Sequence, residues 1–130
     1  MTCSVLSILE IVSILTRKRN DGRIDEQLFE QAMQDFRADA ITGLRYSTTS
    51  VSDNLVFASL NFVGKHNLNS TDAIILRSAL DLQQTLQAAN DTVMLCASDK
   101  RLVRAARQEG LLVVDPEQET MEYLRQLLAS

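Results

Sequence analysis

The sequence has 130 residues, of which 45% are hydrophobic, and its 13 Lys and Arg against 17 Asp and Glu give a net charge of −4. This length suits a single domain, residues 1–130, that can bury an apolar core. The acidic balance excludes a protein that coats nucleic acid by bulk charge alone. A local basic surface or a bound metal can still serve a nucleic-acid partner.

Residues 5–15 form an apolar segment that could resemble a signal peptide or a membrane span. The segment has no basic region before it, contains Glu10 and is too short to cross a bilayer, so we expect neither. Cys3 and Cys96 stand in apolar contexts without the spacing of a zinc site. They are therefore expected to be buried free thiols in a reducing cytoplasm.

In chain order, residues 5–15 predict a deeply buried first helix, because its polar residues recur every third position and leave only a narrow polar edge. Cations at residues 17–19 suit the end of this helix, and residues 20–22 form a turn. A second helix is predicted from Asp25, its cap, to about residue 40, and Gly43 breaks its pattern. Residues 44–50 favour a β-segment.

The second half predicts helices that alternate with short apolar strands buried on both faces. One predicted helix spans residues 52–64, and the next is capped by Ser70 or Thr71 and runs to about residue 89. A further helix, capped by Ser98, spans residues 99–109. The last helix is capped by Asp115 and has Pro116 in its first position. The predicted strands are residues 92–97 and 111–114, and Gly110 ends the helix between them. Strand–helix–strand order with short connections predicts a parallel sheet, and hence a three-layer α/β fold.

Three acids occupy places where a ligand could bind. Asp99 follows the strand at residues 92–97, Asp72 lies in the first turn of a helix after a loop, and Glu10 is the only acid of an apolar helix. Ligands of open α/β sheets bind beyond the carboxyl ends of the strands. Carboxylates without His or Cys suit a hard cation, Mg²⁺ or Mn²⁺. Each acid also has a structural explanation, because Asp72 and Asp99 can complement helix dipoles and Glu10 can close a capping box with Ser7.

Three segments resemble motifs of the PIN-domain family, and together they cover nearly the whole chain. They are Thr2-Cys3-Ser4 through Ile8-Leu9-Glu10-Ile11, then Ser70-Thr71-Asp72-Ala73-Ile74-Ile75-Leu76 with Ala79-Leu80, and Leu95-Cys96-Ala97-Ser98-Asp99-Lys100-Arg101-Leu102 with Glu109-Gly110-Leu111 and Val114-Asp115-Pro116. In that family these segments carry a strand leading into a Glu-bearing helix, a Thr/Ser-Asp-Ala helix start, and a strand–Ser-Asp–helix–Gly–strand–Pro ending.

This resemblance implies a Mg²⁺- or Mn²⁺-dependent endoribonuclease, the class to which many toxins of bacterial toxin–antitoxin pairs belong. Glu10, Asp72 and Asp99 match three of the family's four catalytic, metal-binding acids. The resemblance further implies an RNA substrate and a small antitoxin protein as partner. His66, the only histidine, lies in a polar loop and is expected to be an ordinary surface residue.

The chain departs from the family pattern at its start. Members of the family begin with an apolar strand that ends in the first catalytic Asp, whereas this sequence begins at a segment that resembles the family's second strand. No Asp occurs before Asp21. The resemblance then leaves at most three acids for a metal, and an alternative function is a catalytically impaired RNA- or protein-binding module. A sheet without its central strand has an edge that can pair with another chain, so we expect a homodimer.

Basic residues form two groups, one near residues 17–23 and one on the predicted fifth helix. Lys100 and Arg101 lie next to Asp99, where an RNA backbone would pass, and are the candidate RNA-binding residues. A solvated helix face balanced by nearby acids is the alternative explanation for both groups.

Overall fold

The computed structural model describes residues 2–43, 46–118 and 121–129. It is a mixed α/β protein with short parallel strands, as the sequence predicts. The chain divides into two compact units, Met1–Val51 and Ser52–Ser130. The described strands form two sheets of two strands each, with β1 beside β2 and β3 beside β4. The three-layer arrangement around one sheet remains a prediction.

The described residues of the first unit form two strands and two helices. They are β1 Thr2–Ser4, α1 Val5–Asn20, α2 Glu26–Phe36, which continues into a π-helical turn Arg37–Ile41, and β2 Ser47–Thr49. The strands are parallel, with Thr2 opposite Ser47 and Ser4 opposite Thr49. The predicted strand at residues 44–50 is thus confirmed over its second half, and Leu44 and Arg45 lie outside the described residues.

Local chemistry explains where α1 and α2 begin and end. The hydroxyl of Ser4 accepts the N–H of Leu6 at 3.3 Å and caps α1, while Asp25 accepts the N–H of Leu28 at 2.7 Å and caps α2 as predicted. The predicted turn after α1 is confirmed, with Gly22 at φ +74°. A β-carbon at Gly43 would meet the backbone carbonyl of Ala38, so only glycine fits where the helical pattern stops.

The prediction that α1 is deeply buried is wrong. None of its residues is buried, and Leu9 is 69% exposed. Within its unit α1 packs against α2 and β1. These elements are too small to cover a helix that is apolar around most of its circumference. An apolar segment shows which side chains could be buried, but not how much surface is available to cover them.

The described residues of the second unit form four helices and a parallel strand pair. They are α3 Asp53–His66, α4 Ser70–Gln87, β3 Met94–Cys96, α5 Lys100–Gln108, β4 Leu112–Val114 and α6 Met121–Ala129. The predicted strand–helix–strand is confirmed, because β3 pairs in parallel with β4 and α5 connects them. Burial of β3 on both faces is not observed, since Cys96 is exposed and the other two residues are half-buried.

The core of the second unit lies between α3, α4, α5 and β4. Leu76 and Ala106 have no exposed surface, and Val114 is 2% exposed. Gly110 follows the end of α5, directly before Leu111, and adopts φ +88°. It thus confirms the predicted end of this helix.

Three predicted caps of the second unit differ in the structure. Asn69, rather than Ser70 or Thr71, caps α4, because its side chain accepts the N–H of Asp72. Asp99, rather than Ser98, caps α5.

Asp115 does not cap a last helix that begins at Pro116. Its carboxylate accepts the N–H of Glu117 at 2.9 Å and stabilises a turn at residues 116–118, and α6 begins only at Met121. Several residue types can cap a helix, so the sequence limits a cap to two or three neighbours but does not choose between them.

Candidate functional site

Asp99 lies three residues beyond the carboxyl end of β3 and directly before α5. Its Oδ1 atom accepts the N–H groups of Arg101 and Leu102, both at 3.0 Å. The side chain is exposed. Asp99 therefore has a structural role as the N-cap of α5, a place predicted for Ser98. A carboxylate has about four acceptor positions, so these two bonds leave Asp99 able to bind a further donor or a cation.

Asp72 is the third residue of α4 and is half-buried. Its N–H donates to Asn69 Oδ1 at 2.8 Å, which fixes the backbone at the start of the helix. The next residue, Ala73, is 1% exposed and anchors this turn in the core. The carboxylate of Asp72 is thus carried by a rigid helix start, in the N-terminal turn where negative charge is favoured.

Glu10 belongs to the first unit, whereas Asp72 and Asp99 belong to the second. It is the sixth residue of α1 and is exposed. The alternative explanation, a capping box with Ser7, does not hold, because Ser4 caps α1 and Ser7 is already inside the helix. The structure therefore gives Glu10 no role in starting the helix.

Within the described ranges, no three His, Cys, Asp or Glu side chains form a group that could hold a metal ion. The three predicted acids come from two separately described units, so their convergence on one ion stays a prediction.

The two groups of basic residues differ in what their side chains contact. In the first unit, the Arg19 guanidinium lies 4.2 Å from the centre of the Phe29 ring and 3.7 Å from Glu26, and Arg23 pairs with Asp21 at 3.0 Å. This group therefore helps to hold the α1–α2 junction.

In the second unit, α5 carries four cations on a short helix. Three of them, Lys100, Arg104 and Arg107, line an open cleft of about 610 Å³, and Arg101 is not among its lining residues.

His66 is not the ordinary surface residue that the sequence predicts. It is the last residue of α3, its side chain is 4% exposed, and its ring lies 5.7 Å from the Phe62 ring. His66 Nε2 lies 2.8 Å from Glu109 Oε1, and Lys65 Nζ contacts the same oxygen at 2.5 Å. Glu109 follows α5, so this cluster joins the ends of two helices. Hydrogen bonds from Lys65 and then His66 lower the pKa of Glu109 below its usual value.

Glu109→Gln is expected to destabilise the second unit by about 1 kcal/mol at pH 7, because Lys65 and His66 lose a charged acceptor. A lowered pKa in the folded state adds stability that is present above the ordinary Glu pKa of about 4.3 and is lost as pH falls below it. The difference between wild type and variant should therefore shrink between about pH 5 and pH 3. Urea denaturation across this range measures it, with the exposed Glu117→Gln as control. A difference that does not change with pH would contradict this account.

The sequence offered little signal for this cluster. Glu109 and His66 are 43 positions apart, and neither belongs to a motif with fixed spacing. The one indication in the sequence is that both residues stand at or near the ends of predicted helices, where polar side chains often form hydrogen bonds with backbone groups or other side chains.

Both cysteines are free, Cys3 half-buried and Cys96 exposed. The prediction of buried thiols is therefore wrong for Cys96, which ends β3, and Cys3 is only partly buried.

Across residues 2–43, 46–118 and 121–129, no helix combines the length and the apolar character needed to cross a membrane. Comparison of the chain with protein-family models, with curated proteins and with solved structures finds no match.

Proposed function

We propose that this chain is a PIN-like, Mg²⁺- or Mn²⁺-dependent endoribonuclease that acts at Glu10, Asp72 and Asp99, within a three-layer α/β/α arrangement. The observation that carries the proposal is the position of Asp99, just beyond the carboxyl end of β3 in a parallel strand–helix–strand unit. This is where open α/β sheets bind their ligands. The half-buried start of α4, which carries Asp72, lends further support.

The test is cleavage of a 5′-labelled single-stranded RNA by the purified chain. We expect cleavage products with Mn²⁺ or Mg²⁺ and none with EDTA. The carboxylates alone can neither polarise the phosphate nor activate the attacking water, which is the role of the bound cation. Circular dichroism establishes that the chain is folded in each buffer. RNA that stays intact with folded protein and either cation would overturn the proposal.

A second candidate is an RNA-binding module that does not hydrolyse its ligand. It is favoured by the cations Lys100, Arg104 and Arg107 of α5, which line one open cleft. Binding of RNA in EDTA without cleavage in Mn²⁺ would identify this function and exclude the first.

The proposal includes a small antitoxin protein as partner, a cytoplasmic location and a homodimer. The described sheets each contain two strands, so each leaves strand edges that a second chain can pair with. Parallel sheets this small are rare without further cover, which supports association. We expect light scattering to give the mass of two chains, and a single-chain mass at high concentration would contradict it.

A further inference from the structure

The cleft beside α5 has a composition suited to an anion with several charges. Its lining includes the cations Lys100, Arg104 and Arg107, with Gln108 from α5 and Gln118 and Asp115 from the turn after β4. The whole lining belongs to the second unit. The feature therefore depends on α5, β4 and the turn at residues 116–118 only.

Helical spacing explains why these three cations face the same way. Residues 100, 104 and 107 are separated by four and three positions, which places them along one face of an α-helix. Arg101 is turned by about 100° from Lys100 and does not line the cleft. The stripe from Lys100 to Arg107 spans seven residues, or about 10 Å at the rise of an α-helix. This length exceeds the axial rise of about 3.4 Å per phosphate in one strand of a DNA duplex, so the stripe can contact more than one phosphate of a strand.

Charge in the cleft is mainly positive. Lys100 and Arg104 are exposed, and in the part of the chain that the structure describes neither has an ion pair. Among the described lining residues the one acid is Asp115, which is 8% exposed and whose Oδ1 accepts the N–H of Glu117. The side-chain amides of Gln108 and Gln118 add neutral donors. Three cations thus face one acid that already has a backbone partner.

We propose that this cleft binds the phosphodiester backbone of single-stranded RNA through Lys100, Arg104 and Arg107. The inference rests on the proposed function, because it takes RNA as the ligand, and it assigns the contact to Arg104 and Arg107 in place of Arg101. The described lining contains no aromatic side chain on which bases could stack. Binding therefore depends on salt and varies little with base sequence.

Fluorescence anisotropy with a 12-nucleotide labelled single-stranded RNA, in EDTA and over a range of salt concentrations, tests the assignment. Arg104→Gln should weaken binding several-fold and reduce the slope of log K against log salt by about 0.7, the value for one lost phosphate contact on a single strand. Arg101→Gln is the matched control, since it removes the same charge from another exposed position of the same helix. It should leave the slope unchanged, and the melting temperatures of both variants establish that they fold.

Equal effects of the two substitutions, or no binding by wild type, would overturn the inference. Failure of the proposed function gives a different result, because binding is measured without metal. If the chain binds RNA through Arg104 but does not cut it, RNA binding by the cleft is supported and the proposed hydrolysis is not. If the chain cuts RNA but Arg104→Gln leaves the salt slope unchanged, the hydrolysis is supported and RNA binding by the cleft is not.

Discussion

Phe62→Ala is expected to lower the free energy of unfolding of the second unit by about 3–5 kcal/mol, the range for truncating a buried aromatic side chain. Phe62 is 3% exposed and belongs to the core cluster of this unit. Its ring also lies 4.3 Å below the guanidinium carbon of Arg77 and 5.7 Å from His66. The substitution leaves a cavity and removes the surface against which both of these side chains pack.

Phe57→Ala is the control for this prediction, since it makes the same change on the same helix. Phe57 is 68% exposed, so we expect a change within about 0.5 kcal/mol. Guanidinium denaturation followed by circular dichroism measures both variants. Equal losses would mean that α3 presents a different face to the core than the structure describes.

Asp72→Asn and Asp99→Asn are each expected to lower RNA cleavage by at least about 100-fold, if both carboxylates act on a bound cation as proposed. Asn keeps the shape of the side chain and removes its charge. It is also as good a helix cap as Asp, so the bonds from the N–H groups of Arg101 and Leu102 can persist at position 99. Activity can therefore be lost without loss of the fold.

Asp53→Asn is the matched control, because Asp53 also lies in the first turn of a helix, α3, and has no predicted catalytic role. It should lose only a favourable interaction with the helix dipole, a few tenths of a kcal/mol, and keep full cleavage. Glu10→Gln belongs in the same assay and should behave like the two site variants. Cleavage that survives any of the three site substitutions would remove that residue from the proposed site.

Much of the secondary structure follows from local sequence chemistry. Asp25 and Gly110 mark helix ends in the sequence and in the structure, because capping and a positive φ depend on neighbouring residues only. The parallel pairing of β3 with β4 was also predictable, since a nine-residue helix between two apolar strands fits a crossover connection. Burial was harder to predict, as α1 and Cys96 show, because it depends on what surface the rest of the fold supplies.

The candidate site was predictable only as positions along the chain. The sequence placed Asp72 and Asp99 at helix starts, where the structure has them. It could not give the direction in which each cation of α5 points, since that depends on the helix phase relative to β4 and its following turn. Lys100 and Arg101 were both chosen for their proximity to Asp99 in sequence, but Lys100 lines the cleft and Arg101 lies outside its lining.

The order of the strands has a consequence for folding kinetics. In the second unit, α3 and α4 are joined by residues 67–69 and β3 reaches β4 through α5, so the α3–α4 and β3–β4 pairs close short loops with little loss of chain entropy. Such local topologies fold quickly. In the first unit, Thr2 bonds to Ser47, which is 45 positions away. The β1–β2 pair closes a much longer stretch of chain, which contains α1 and α2, so we expect it to form more slowly than the β3–β4 pair.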